Sequence, residues 1–155
     1  ARGHEGSRTM PVYAYGEMAA ASMTATPTDL AKFVIALNRD GQGLLSEPLL
    51  DQFLGRKPAR TNSRFPDPDF TIAEEYCGNA TNETMKLGIR HADSDSNWGG
   101  NEVFWHGGSH NGYRTRMIGL PELNSGLVVF MTGSSAGTTA FYTELRRSVV
   151  AAYGL

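Results

Sequence analysis

Cysteine is nearly absent: Cys77 is the one thiol in 155 residues. A lone cysteine excludes an internal disulfide and a cysteine-based metal site, and leaves the redox compartment open. A surplus of charge is missing too. Fourteen Lys and Arg stand against sixteen Asp and Glu, a formal net charge of −2, so the chain has no basic footprint and nucleic acid is not expected as a partner. No apolar run approaches the ~20 residues that a membrane-crossing helix needs. The opening ARGHEGSRTM has no apolar core of a signal peptide. Internal repeats and low-complexity tracts are lacking as well. What is present, 40% hydrophobic and 19% charged residues, reads as one ordinary globular domain with a buried core.

The chain orders itself into helices, then strands, then a helix. Residues 1–21 have no clear period and read as mostly loop. In TATPTDLAKFVIALNRDGQG, Thr26 suits an N-cap, Pro27 the first helical position, and Asp29 a capping-box partner. Leu30, Phe33, Val34 and Leu37 then fall on one face, and Gly41 ends the helix. A shorter helix is expected from Ser46, burying Leu49, Leu50 and Phe53 before Gly55. The proline-containing stretch 56–76 reads as an irregular connection. TMKLGIRHAD predicts a strand and SDSNWGGN a polar turn. Three strands follow, at Glu102–Gly107, Gly112–Leu120 and Gly126–Thr132. Their connections are too short for parallel crossovers, so the strands run antiparallel. The last segment predicts a helix with Phe141, Leu145, Val149 and Ala152 on its buried stripe. The fold class is therefore α/β (α+β): an antiparallel sheet flanked by helices.

Several residues invite chemical readings. GSSAG at 133–137 has the spacing of a nucleophile elbow, with Ser135 as its serine between strand and helix. No His or Asp follows Ser135, so a plain strand-to-helix connection fits better. His4, His91, His106 and His110 are the only histidines. Two glycines between His106 and His110 argue against a helical metal pair, although a strand could place both on one face; no metal is expected. Asn79 and Asn82 begin N-x-T sequons, which matter only in a glycosylating host.

His106-Gly107-Gly108-Ser109 ends a β-prone run, Val103-Phe104-Trp105, in a side chain that titrates near neutrality. Glycines there leave the strand edge uncovered, so that an extended ligand could pair with it. The Ser109 N–H could face a developing oxyanion. A glycine-rich hairpin with a surface histidine accounts for the same spacing equally well.

AAASMTATPTDLAKFVIAL, LLSEPLLDQFL and FWHGGSHNGYRTRMIGLPELNSGLVVFMTGSS, taken in order, resemble the later part of the serine β-lactamase-like family. Class C β-lactamases, D-Ala-D-Ala peptidases and esterase relatives belong to it, and the similarity covers most of residues 16–150, weakest across 56–100. The resemblance implies that His106-Gly107-Gly108 is the family's His-x-Gly third motif. His106 and Ser109 then take catalytic roles, Ser109 through its N–H in the oxyanion hole, while Gly107 and Gly108 bind substrate. It implies acyl transfer through an acyl-serine, on a small-molecule or peptide substrate, without metal or cofactor. A periplasmic or secreted setting comes with the family.

The departures are large. No serine precedes a lysine by three, since Lys32, Lys57 and Lys86 follow Asp29, Leu54 and Glu83. The family's second motif, Tyr-x-Asn or Ser-x-Asn, is also missing ahead of His106. The expectation is thus a partial domain over residues 1–155, the C-terminal part of a longer hydrolase. Ala1 would be a break in that chain, and Ser-x-x-Lys would lie roughly 150–250 residues upstream. The missing N-terminal part of the same domain becomes the expected partner. Without it the chain should be inactive and could self-associate through an uncovered sheet edge. The alternative is a non-catalytic penicillin-binding-like or interaction domain in which this strand is only structural.

Overall fold

The computed structural model describes residues 2–12, 16, 23–54, 84–86, 88–133 and 136–155. The expectations for the connection 56–76, for Cys77, for the two sequons and for Ser135 fall outside them.

Two short strands, β1 (His4–Glu5) and β2 (Arg8–Thr9), form a small antiparallel ribbon where the sequence reads as loop. The ribbon escapes a pattern reading because strands of two residues carry no periodicity. Helix α1 (Pro27–Asn38) begins as its sequence dictates. The Thr26 hydroxyl accepts from Asp29 N–H at 3.1 Å and donates to Asp29 Oδ2 at 2.8 Å, closing a reciprocal cap. Hydrogen bonds from Lys32 and Thr26 hold the Asp29 carboxyl below its ordinary pKa. Beyond the C-cap Arg39, left-handed Asp40 and Gly41 turn the chain away.

Helix α2 (Glu47–Leu54) buries Leu50 and Leu54, one turn apart. Leu49, expected inside, is 52% exposed, while Leu54 takes the inner position. Residues 50 and 54 share a helical face; 49 lies about 100° away from it.

The main sheet has the order β3-β4-β5-β6-β7, with every neighbour antiparallel. Its strands are β3 (Thr84–Lys86), β4 (Ile89–Asp95), β5 (Asn101–His110), β6 (Tyr113–Leu120) and β7 (Ser125–Thr132). TMKLGIRHAD is thus two strands, because Gly88 at φ +83° reverses the chain within it. Between β4 and β5, a 3₁₀ turn at Ser96–Trp98 is capped by Asp95, whose carboxylate accepts from Asn97 N–H at 2.8 Å. Helix α3 (Ala136–Tyr153) closes the described chain.

Side chains alternate across the sheet, so β4, β5, β6 and β7 each feed two cores. On one face, Ile89, Phe104 and Met117 pack with Val34 and Leu37 of α1 and Leu50 and Leu54 of α2. On the other, Ala92, Val103, Ile118 and Leu120 pack with Trp98 and with Tyr142, Val149 and Val150 of α3. Phe141 is 58% exposed, and Ala152 is exposed too. The buried stripe of α3 is therefore turned by about one residue from the expected one, toward Tyr142 and Val150. Asn38 Nδ2 donates to Ser125 O at 2.6 Å, fastening the end of α1 to the start of β7. Each large side chain buried in these cores stabilises the fold by about 1.5–3 kcal/mol.

Candidate active site

The His-Gly-Gly segment lies where β5 outruns its neighbour. β4 accompanies β5 only to Trp105, which sits opposite Arg90. β6 continues to the end, with His110 opposite Tyr113 across an Asn111-Gly112 turn in which both residues have positive φ. That two-residue turn matches the right-handed twist of the strands it joins. From His106 to His110, no strand among the described residues pairs with the other side of β5.

The hydrogen bonding of this overhang has a definite sense. Gly108 N–H points toward β6 and donates to Thr115 Oγ1 at 3.0 Å. Successive amides alternate sides along a strand, so the N–H groups of Gly107 and Ser109 point toward the uncovered edge.

The faces divide in the same way. Alternation places His106, Gly108 and His110 on the α1–α2 side, with His106 beyond Phe104 and opposite Met117. His106 is exposed, yet packing beneath its ring disfavours the charged form. Burial, and then the positive charges of Arg90 and Arg116, push the imidazole pKa below its ordinary value. Gly107 and Ser109 take the α3 side, opposite Arg116 and Arg114. The Ser109 hydroxyl and the His106 ring thus sit on opposite faces of the sheet. The two side chains therefore do not form a nucleophile–base pair.

Gly107 is small for a visible reason: a Cβ there would run into the Arg116 guanidinium. Arg116 lies against the strand with its Cζ 5.8 Å from the centroid of the Tyr142 ring, a cation–π contact of about 0.5–1 kcal/mol. Burial raises the Tyr142 phenol pKa against the opposing pull of Arg116 and Arg146. Between β5, β6 and the first turn of α3 there is a cavity of about 130 Å³. Its walls include Ser109, Arg114, Arg116, Thr138, Thr139 and Tyr142. The arrangement therefore combines outward amides, an imidazole kept largely neutral, and a polar recess holding two guanidinium groups.

Sequence reasoning passed over the two arginines. The available signal was the pattern Arg114-Thr115-Arg116 just after an Asn-Gly turn. Two charges two apart on a strand share one face, and they fall opposite Gly107 and Ser109 once the turn sets the register.

The other histidines do not gather here as a metal site. His91 is buried, with Nε2 2.8 Å from Glu102 Oε1. Among the described residues, no group of three His, Cys, Asp or Glu side chains is placed to hold a metal ion. No helix among them is long and apolar enough to cross a membrane.

Comparison with curated proteins, and likewise with solved structures, returns no match. A family model described as Beta-lactamase matches residues 1–152, nearly the whole chain. Its α/β architecture, an antiparallel sheet with helices on both faces, agrees with that match. The chain therefore belongs to the Beta-lactamase family.

Proposed function

We propose that this chain forms one wall of a serine hydrolase that works by acyl transfer, as the C-terminal part of the catalytic domain. The observation that carries the reading is the one-sided end of β5, where the Gly107 and Ser109 amides point away from β6, beside His106, to a side with no strand partner among the described residues. An upstream serine attacks the substrate carbonyl carbon and passes its proton to the neutral lysine amine of a Ser-x-x-Lys motif, which holds it for the leaving atom. The carbonyl electron pair moves onto oxygen, and the Ser109 N–H shares the resulting oxyanion. One such donor is worth about 2.7–4 kcal/mol in enzymes of this kind. The bond to the leaving nitrogen or oxygen then breaks as that atom takes up a proton, with His106 as the adjoining polar group. Water attacks the acyl-serine, releases the acid and restores the serine.

Within the class of β-lactam, D-Ala-peptide and ester substrates, the recess favours those bearing a carboxylate. Arg114 and Arg116 supply positive charge there, and hydroxyls of Ser109, Thr138 and Thr139 line the same space.

Intact mass of the full-length protein after treatment with a fluorophosphonate, and separately with a penicillin, tests the reading. The expected result is one adduct, mapped to the serine of an upstream Ser-x-x-Lys, with none on residues 1–155. An adduct on Ser135 would transfer the chemistry to the 133–137 elbow and overturn the assignment. Absence of any adduct on the full-length protein would leave a binding domain in its place.

A further inference from the structure

Hairpin tips ordinarily lie in solvent, yet Gly112, at the tip of the β5–β6 hairpin, is buried. The β1–β2 ribbon covers it. Gly112 O accepts two amides, His4 N–H at 3.2 Å and Gly133 N–H at 2.6 Å, so a single carbonyl ties the tip both to the ribbon and to the end of β7. Met10 N–H donates to Gly3 O at 2.8 Å and closes the ribbon behind this contact.

The fit is close enough to exclude a side chain on either strand. A Cβ on Gly3 would stand 2.5 Å from Asn111 O and 2.6 Å from Tyr113 Cε2. One on Gly112 would stand 2.7 Å from Gly3 C. The ribbon has little stability of its own. Its strands are two residues long, and Met10 is its one buried hydrophobic side chain. A segment that contributes so little core but closes so tightly on a turn acts on the placement of that turn.

We infer that residues 3–10 are a positioning latch, holding the Asn111–Gly112 tip so that the Ser109 amide stands where the oxyanion forms. This rests on the acyl-transfer reading of the β5 edge. Ser109 lies three residues from Gly112 on the same hairpin, so displacement of the tip moves its N–H directly. Oxyanion donors act only at about 2.7–3.1 Å from the developing charge, and an error of about 1 Å can cost a hundredfold in rate. Gly3 and His4 are positioning residues and touch no substrate.

The test uses two variants of the full-length protein, with kinetics on a chromogenic ester and amide hydrogen exchange. Gly3→Ala wedges the latch away from Asn111 and Tyr113, whereas His4→Pro removes the donor to Gly112 O and sets the proline ring in its place. Both should lower kcat for acylation about tenfold while KM stays within about twofold. The Gly133 amide should lose protection, while those of Met117 and Ile118 in mid-β6 keep it. Unchanged kcat despite an opened Gly133 amide would overturn the proposal. So would loss of protection reaching Met117 and Ile118, because Gly3 would then serve the whole fold. If the wild-type protein turns over no ester, the acyl-transfer reading fails, and exchange alone judges the latch: loss confined to the tip supports it, and no loss in either variant refutes it.

Discussion

β5 is two strands in one. Its first half, through Trp105, is paired with β4, with β6 joining on the other side at Phe104 and Trp105, and it sends Val103 and Phe104 into opposite cores, each fully buried. Its second half, His106 to His110, is paired among the described residues with β6 alone and carries two glycines and two exposed histidines. The first half commits its pairing with β4 and its two buried side chains to the fold. The second holds an amide edge and an imidazole in reserve. On the proposed reading, rigidity in the buried half serves the open half, since amides act as a binding edge only when their position is set.

The sharpest way to break this contrast is to attack each half separately. Phe104→Ala should cost about 3–5 kcal/mol of stability, read from urea unfolding, because it empties the core shared with α1 and α2. His106→Ala, two residues on, should leave stability within about 0.5 kcal/mol. In the full-length enzyme it should slow acylation about a hundredfold or more, read by stopped-flow with a chromogenic β-lactam. Equal stability losses from the two changes would erase the distinction between the halves.

Gly107→Ala should have a smaller effect on folding, about 1 kcal/mol or less, since the group displaced is the far end of the flexible Arg116 side chain. It should raise KM for a carboxylate-bearing substrate more than for a neutral ester. Equal changes for both would separate Arg116 from carboxylate recognition.

The subtlest test concerns protonation. His106 is held below its ordinary pKa, so its neutral form persists into mildly acidic solution. An unfolded chain takes up that proton first, so this group's contribution makes stability fall as pH drops from about 6.5 toward the folded pKa. Arg116→Gln removes one of the two positive neighbours. The His106 resonance should then titrate at higher pH by NMR, and the acid limb of the rate profile should move the same way. A downward shift would mean that Arg116 does not act on His106 through its charge.

Thr26-Pro27 and Asp29 announced the start of α1, because a cap is a local contract between residues three apart. The three strands of the meander were equally plain, since period-two patterns and short turns leave few alternatives. Leu49 and Phe141 were misplaced for a shared reason. Hydrophobicity marks which residues can be buried, but the rotation of a short or amphipathic helix is settled by what packs against it. The β1–β2 ribbon was invisible because its hydrogen bonds, not its side chains, define it.

Local sequence by itself determined the helices, the order of the last three strands, the Asn-Gly reversal and the glycine-lined end of β5, through caps, periodicity and turn chemistry that act over a few residues. Tertiary structure alone decided that the β4–β5 pairing ends at Arg90 and Trp105, so that Gly107 and Ser109 have no strand partner on that side among the described residues. It also set Arg116 against Gly107 and Tyr142, and laid the ribbon over Gly112. Those arrangements join residues that are distant in the chain, or depend on where a neighbouring strand ends, and no local preference encodes either.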